Sequence, residues 1–355
     1  MLIPILIPHG ERIHTDYAPA SGSSTGLVGR SIDEERQLGG GDGIVTRYKK
    51  DQSAASSASA LGYLKSLYGD AIEYTSLTKN LKGTAFYWAI FLGLGMAPAF
   101  VGCGIFLMSI GDFKDIFFLV SGSLVTLGSL AFGLYVFSTL IRIELFQPED
   151  LPIIFDRRNK KIFRLMREEQ SGFLGAFKAW PIMACEYDWN LVDCEHQAQI
   201  FPIGGVISTN HFLMFLVRKS PADPTIIDSF QLANSASLSD DLCDRMWEHV
   251  RRFMEENGPH LPTPHEPLAD MTAPPSWWES LGAVGPFGSN YWKFWRDSPL
   301  YTIFMHLIFP ISLPMFFLWG TGNYLSFKTA IAVHWPAEVL TAIGPKQQPR
   351  SSSPL

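Results

Sequence analysis

The residues that decide the architecture are TAFYWAIFLGLGMAPAFVGCGIFLMSI (Thr84–Ile110) and IFFLVSGSLVTLGSLAFGLYVFSTLI (Ile116–Ile141), divided by the loop Gly111, Asp112, Phe113, Lys114 and Asp115. Each holds roughly 26 residues, and at about 1.5 Å per residue a helix of that length exceeds a hydrocarbon core of about 30 Å. Neither carries the polar stripe of a helix packed in a water-soluble core. The reading is a transmembrane helical hairpin over residues 84–141. No ionisable side chain interrupts either segment, so the hairpin lacks the groups from which proton relays and ion pathways are built. Small residues at intervals of four, Gly95 and Ala99 in the first segment and Ser129 and Gly133 in the second, predict faces that let the two helices approach closely. Pro98 predicts a kink near the middle of the first.

Outside the hairpin the chain reads as one soluble domain with arms. A net charge of −6 argues against nucleic acid as a partner, because phosphate neutralisation needs a basic excess. Cys103, Cys185, Cys194 and Cys243 are too widely spaced for a zinc pair or a disulfide framework and are expected as reduced, mostly buried thiols. The apolar opening Met1–Pro8 has no basic region before it, so no signal peptide is expected. Residues 1–83, rich in Gly, Ser and Ala, read as a mobile polar arm. Within it Leu61, Leu64, Leu67 and Tyr68 recur at helical spacing and predict a short amphipathic helix between Ala58 and Tyr74. The GxSxG match at Gly22–Gly26 lacks the flanking strand and helix of a nucleophile elbow.

Lys79 and Lys82 before the hairpin, with Arg142, Arg157, Arg158, Lys160, Lys161, Arg164 and Arg167 after it, place both flanks in the cytoplasm by the positive-inside rule. The last six form a candidate contact for anionic lipid or for a partner. From Arg142 the pattern turns to short alternating runs, predicting strands at Ile141–Phe146, Pro152–Phe155, Lys161–Met166, Ile182–Tyr187, Gln197–Phe201, Phe212–Arg218 and Thr225–Gln231. Asp156 to Lys160 reads as a hairpin turn. One helix follows, with Ser237 and Asp240 in a capping-box pattern and Leu238, Leu242, Met246, Trp247, Val250, Phe253 and Met254 on one face, stopped by Asn257, Gly258 and Pro259. This order over residues 142–258 is that of an α+β, pleckstrin-homology-like domain.

Residues 259–298 read as a Pro-rich and aromatic linker whose Trp277, Trp278, Trp292 and Trp295 suit a membrane interface. Pro299–Gly320 is uncharged and long enough to span, with Pro310 and Pro314 bending it. His306 is its one titratable group. The tail from 321 is interrupted by Lys328, His334, Pro336 and Glu338 and is expected outside the bilayer, beside the domain if the third segment re-enters.

The order of parts resembles a family of uncharacterised bacterial membrane proteins bearing a domain of unknown function. The resemblance spans Leu81 to Gly344 and rests on the hairpin, on the run Ile154 to Phe163, on Trp180 with Pro181, and on Trp335 to Val339. It implies an association with type VI secretion loci, as an immunity or accessory protein for a toxic effector, with the bilayer and a protein as partners. No catalytic residue or cofactor is expected. The alternatives are an enzyme of the membrane surface, for which Asp193, Cys194, His196 and His211 are the one noteworthy cluster, and a membrane-perturbing effector or channel component.

Overall fold

The computed structural model describes residues 9–14, 29–32, 43–76, 82–110, 116–168, 175–178, 180–203, 206–232, 240–256, 268–284, 287–288 and 291–347. Outside these lie the Gly22–Gly26 match, the loop at 111–115, the Ser237 cap, the stop at 257–259 and the prolines up to 267. Both apolar stretches are helical: α1 (Thr84–Ile110) and α2 (Ile116–Glu144) are long and apolar enough to cross a membrane. Within α1, Ala89–Met96 is wound as π-helix just ahead of Pro98. The wider turn accommodates a ring that has no N–H to give and would press on the carbonyl four residues earlier.

The expected strand at Ile141–Phe146 does not form, because α2 continues through Glu144. Glu144 is buried and accepts the N–H groups of Gly83 at 2.7 Å and Ala85 at 3.0 Å. A carboxylate there satisfies donors that the first turn of a helix leaves open and sits at the positive end of its dipole. The last residue of one helix thus serves as the cap of its neighbour.

Two sheets make up the rest of the core. The first runs in the order β1 (His9–His14), β7 (Ile182–Asp188), β6 (Lys161–Arg167), β5 (Ile153–Asp156), β4 (Ala71–Tyr74), β3 (Leu64–Tyr68) and β11 (Lys346–Gln347). It is antiparallel except where β1 meets β7. The second, antiparallel throughout, runs β10 (Ile226–Leu232), β9 (Val206–Arg218), β8 (Val192–Ile203) and β2 (Gly43–Tyr48). Tyr74, Phe155, Trp189, Phe215 and Phe230 share one core between them, closed by Met246, Trp247, Val250, Phe253 and Met254 of α3 (Asp240–Glu256). Trp247 stacks on Trp189 and Tyr48.

Residues 43–76 are therefore no mobile arm. Nor is there a helix between Ala58 and Tyr74: β3 and β4 turn at Gly69 and Asp70, and both strands are buried on two faces, so Leu64, Leu67 and Tyr68 fall on both faces of β3 and their spacing mimics a helical repeat. The small side chains of 53–60 let backbone lie directly on α3, with Ser59 N–H donating to Arg245 O at 3.1 Å.

The linker and tail are also structured. Helices α4 (Trp277–Val284) and α5 (Tyr291–Asp297) occupy the aromatic stretch. The third apolar segment is broken into α6 (Pro299–Leu307) and α7 (Phe309–Lys328), with a 105° bend between α6 and the Ser312–Lys328 part of α7. Beyond it Val339 and Ile343 of α8 (Ala337–Ile343) pack against Tyr68, Ala71, Ile154 and Phe163 on the back of the first sheet. Trp335 Nε1 donates to Glu73 at 3.1 Å, and β11 completes the sheet edge.

Candidate functional site

The six basic residues after the hairpin do not form one patch. Arg157 donates to Asp70 at 2.9 and 3.1 Å, and Arg158 pairs with the same carboxylate. These hydrogen bonds, Arg157's first, hold the Asp70 pKa below the ordinary carboxylate range. Lys160 meets Glu255 at 3.0 Å and Lys161 pairs with Glu186. Arg164 turns inward to Asp228 at 2.9 Å, where the Tyr187 hydroxyl also donates. Arg167 and Arg142 lie over the Trp180 ring, at 4.6 and 5.3 Å from its centroid. The turn that carries 157–160 is fixed by Asp156, whose Oδ1 accepts from the backbone of Arg158 and Asn159. It lies at the end of β5 opposite the connection from α2.

The tryptophans divide likewise. Trp277 is bound into the helix layer, donating to Thr321 Oγ1 at 3.0 Å and meeting Phe317 edge-on. Trp278 and Trp292 are exposed, and Trp295 packs beside His306. The hairpin seam differs from the expected one. Gly133 is in it, and a Cβ there would come within 2.4 Å of the Ala97 Cβ. Ser129 is half-buried, whereas Gly95 and Ala99 face outward, and Gly93, Ala97, Gly104 and Gly122 are the buried small residues.

Two features have the geometry of sites. The first is a cleft of about 590 Å³ where the sheets part, lined by Lys161, Glu186, Tyr187, Arg218, Lys219 and Ile227 among others. Its rim alternates in charge: Arg218 meets Asp193 at 2.6 Å and Lys219 meets Asp223 at 3.2 Å.

The second feature is built on the β8–β9 hairpin. Ala198 lies opposite His211 and His196 opposite Leu213, so the two histidines are diagonal neighbours on the face that α3 covers. His196 Nε2 is 2.7 Å from His211 Nδ1. Its Nδ1 is 3.2 Å from Asp240 Oδ1 in the first turn of α3. One helical turn on, Asp244 accepts the Tyr48 hydroxyl at 2.5 Å. Burial lowers the His196 pKa, opposed by the Asp240 carboxylate. Cys194 and Cys243 are buried free thiols, their pKa values raised by burial. Asp193 faces away toward Arg218. Of the four residues singled out in the sequence, two converge, and Asp240, read there only as a cap partner, joins them.

A mixed α+β body carrying two helices apolar enough to span a membrane is the class that fold and site define. The chain belongs to a family of unknown function, DUF6708, whose model matches residues 130–342. That span runs from the middle of α2 into α8 and omits β2, β3 and β4, which both sheets need. No curated protein and no solved structure matches the chain.

Proposed function

We propose that this chain is a non-enzymatic, multi-pass protein of the bacterial inner membrane whose cytoplasmic, pleckstrin-homology-like body binds a protein partner. The observation that carries the reading is how the body is joined to the apolar helices. Glu144 caps α1, Asn323 Nδ2 donates to Lys82 O at 3.0 Å, and Ser326 Oγ donates to Glu144 O at 3.2 Å. Gly83, at φ +96°, lets α7 approach so closely that a Cβ would lie 2.3 Å from Asn323 N. These contacts tie the ends of α1, α2 and α7 together where the chain passes into the body, and the charged cleft is a recess on that body. Alternating charge on a cleft rim gives specificity and orientation to a protein partner. Basic residues flanking the hairpin support the cytoplasmic placement. The family resemblance read from the sequence points to a toxic effector of type VI secretion as the partner.

Co-expression of the full chain with an effector encoded beside it tests the proposal. Protection of the host and recovery of both proteins together in detergent are expected, and both should be lost in Lys161→Glu/Lys219→Glu while membrane localisation is retained. Absence of protection and of co-purification with the parent chain would overturn it.

A further inference from the structure

Among the described residues, one grouping of histidine, cysteine and carboxylate side chains brings a ligand atom from each of three residues within 4.8 Å of the other two: His196, His211 and Asp240. We propose that these three side chains bind a divalent transition-metal ion, Zn²⁺ being the best match, and thereby fasten the first turn of α3 to the β8–β9 hairpin.

Two imidazoles and one carboxylate form a donor set for borderline ions such as zinc, whereas calcium and magnesium take oxygen ligands almost throughout. An independent observation comes from His196, which is fully buried and whose Nδ1 makes no hydrogen bond. The Asp240 oxygen is near enough, at 3.2 Å, but lies off the line of a hydrogen bond. A buried ring nitrogen without a partner is costly, and a metal–ligand bond satisfies it without needing the N–H direction. Asp240 and Asp244 add negative charge that a cation offsets.

The site is open on one side. The Asp240 side chain is 69% exposed and His211 is half-buried, so an ion can enter and water can complete its coordination. Ligands on one zinc ion stand about 3.3 Å apart, given metal–nitrogen distances of about 2.0–2.1 Å. With His196 Nδ1 as the ligand, Asp240 Oδ1 already stands at 3.2 Å, and the His211 ring, whose Nδ1 now meets the opposite nitrogen Nε2 at 2.7 Å, has to turn toward Nδ1. His211, toward the surface, is the ring free to move. Without an ion the two rings share one hydrogen bond and the carboxylate stands beside them unbonded to Nδ1, and the two arrangements answer differently to metal.

The test uses the full chain in detergent, stripped with EDTA and titrated calorimetrically with Zn²⁺, with Co²⁺ as a spectroscopic substitute. The expected result is saturable binding of a single ion. His211→Ala and Asp240→Asn, both outside the packed core, should each weaken it by about tenfold or more, since even an outer partner of a metal ligand is worth about 10- to 100-fold. Zn²⁺ should raise the melting temperature of the parent and not of the variants. Bound Co²⁺ should show visible ligand-field bands without thiolate charge transfer. Absence of saturable binding, equal affinity in both variants, or a thiolate band pointing to cysteine would each overturn the proposal.

Discussion

His249 and Glu248 are neighbours on α3 that fold in opposite charge states, one neutral and one ionised. His249 is buried against Tyr74, whose hydroxyl shares a hydrogen bond with Nδ1, and burial lowers its pKa from 6.5 to about 4. An unfolded chain takes up that proton first as pH falls, so the contribution to stability is whole above pH 6.5 and is lost as pH falls through about 4. At about 1.4 kcal/mol per pH unit it amounts to about 3 kcal/mol. For Glu248, burial raises the pKa, but hydrogen bonds from Arg251, Arg252, Ala54 N–H and Ser53 outweigh it and hold the value at about 2. Its stabilisation is present above the ordinary 4.5 and fades as pH falls toward 2. Acid should therefore destabilise the body in two successive windows. Denaturant melts at pH 7 and pH 5 should differ in the parent chain and converge in His249→Gln, and an equal loss in that variant would remove His249 as the cause. The apolar face of α3 was legible from its spacing, but these charges were not. Glu248 and Arg251 lie off that apolar spacing and are buried, with Arg252 half-buried, because the backbone of Lys50 and of the small residues 53–60 lies on them.

Among the elements, the hairpin shows how a uniformly apolar sequence hides its own packing face. Gly93/Ala97 and Gly95/Ala99 have the same spacing, and with no polar side to exclude one, only the register against α2 chooses the first. A Cβ on Gly104 would lie 2.3 Å from Thr126 Oγ1, and one on Gly122 would lie 2.4 Å from Met108 Cγ, whereas one on Gly102 meets nothing within 4 Å. Gly104→Leu and Gly122→Leu should each destabilise the helix pair by about 1–3 kcal/mol. Gly102→Leu should leave thermal unfolding in detergent unchanged, and equal effects at all three positions would mean that the helices do not meet along this seam. The β8–β9 pairing, by contrast, had a usable signal. The dipeptide Gly204-Gly205 is a sequence signal for a two-residue hairpin turn, and the strands on either side pair Ile203 with Val206 and hence Ala198 with His211. That register, more than the residue types, brings the histidines together. Asp240 could not be found in this way, since its position depends on where α3 docks.

In the whole molecule, the described chain leaves the body just before α4 and returns to it just after α7. Ala269 N–H donates to Leu64 O before α4, Ile331 N–H donates to Gln147 O after α7, and β11 pairs with β3. If the hairpin spans a bilayer, residues 270–330 are expected to cross it an even number of times, which favours a re-entrant or interfacial α6–α7 pair over a single third span. Impermeant thiol labelling of intact cells checks this, with the buried cysteines of the body as a silent background. Lys114→Cys should label from outside, while Asp51→Cys and Glu338→Cys should both be protected. Labelling of Glu338→Cys with protection of Asp51→Cys would require an odd number of crossings. The alternation of strands on either side of the hairpin also dictates an order of synthesis. β3 and β4 leave the ribosome first and must wait for β5 while roughly 75 residues are added, several seconds at about 5–20 residues per second. Insertion of the hairpin then returns its two ends to one place, supplying the loop closure that a soluble chain would have to find by diffusion. A chain whose hairpin fails to enter the bilayer would therefore leave the edge of β4 exposed, and its misfolding would begin with the insertion machinery rather than with the sheet.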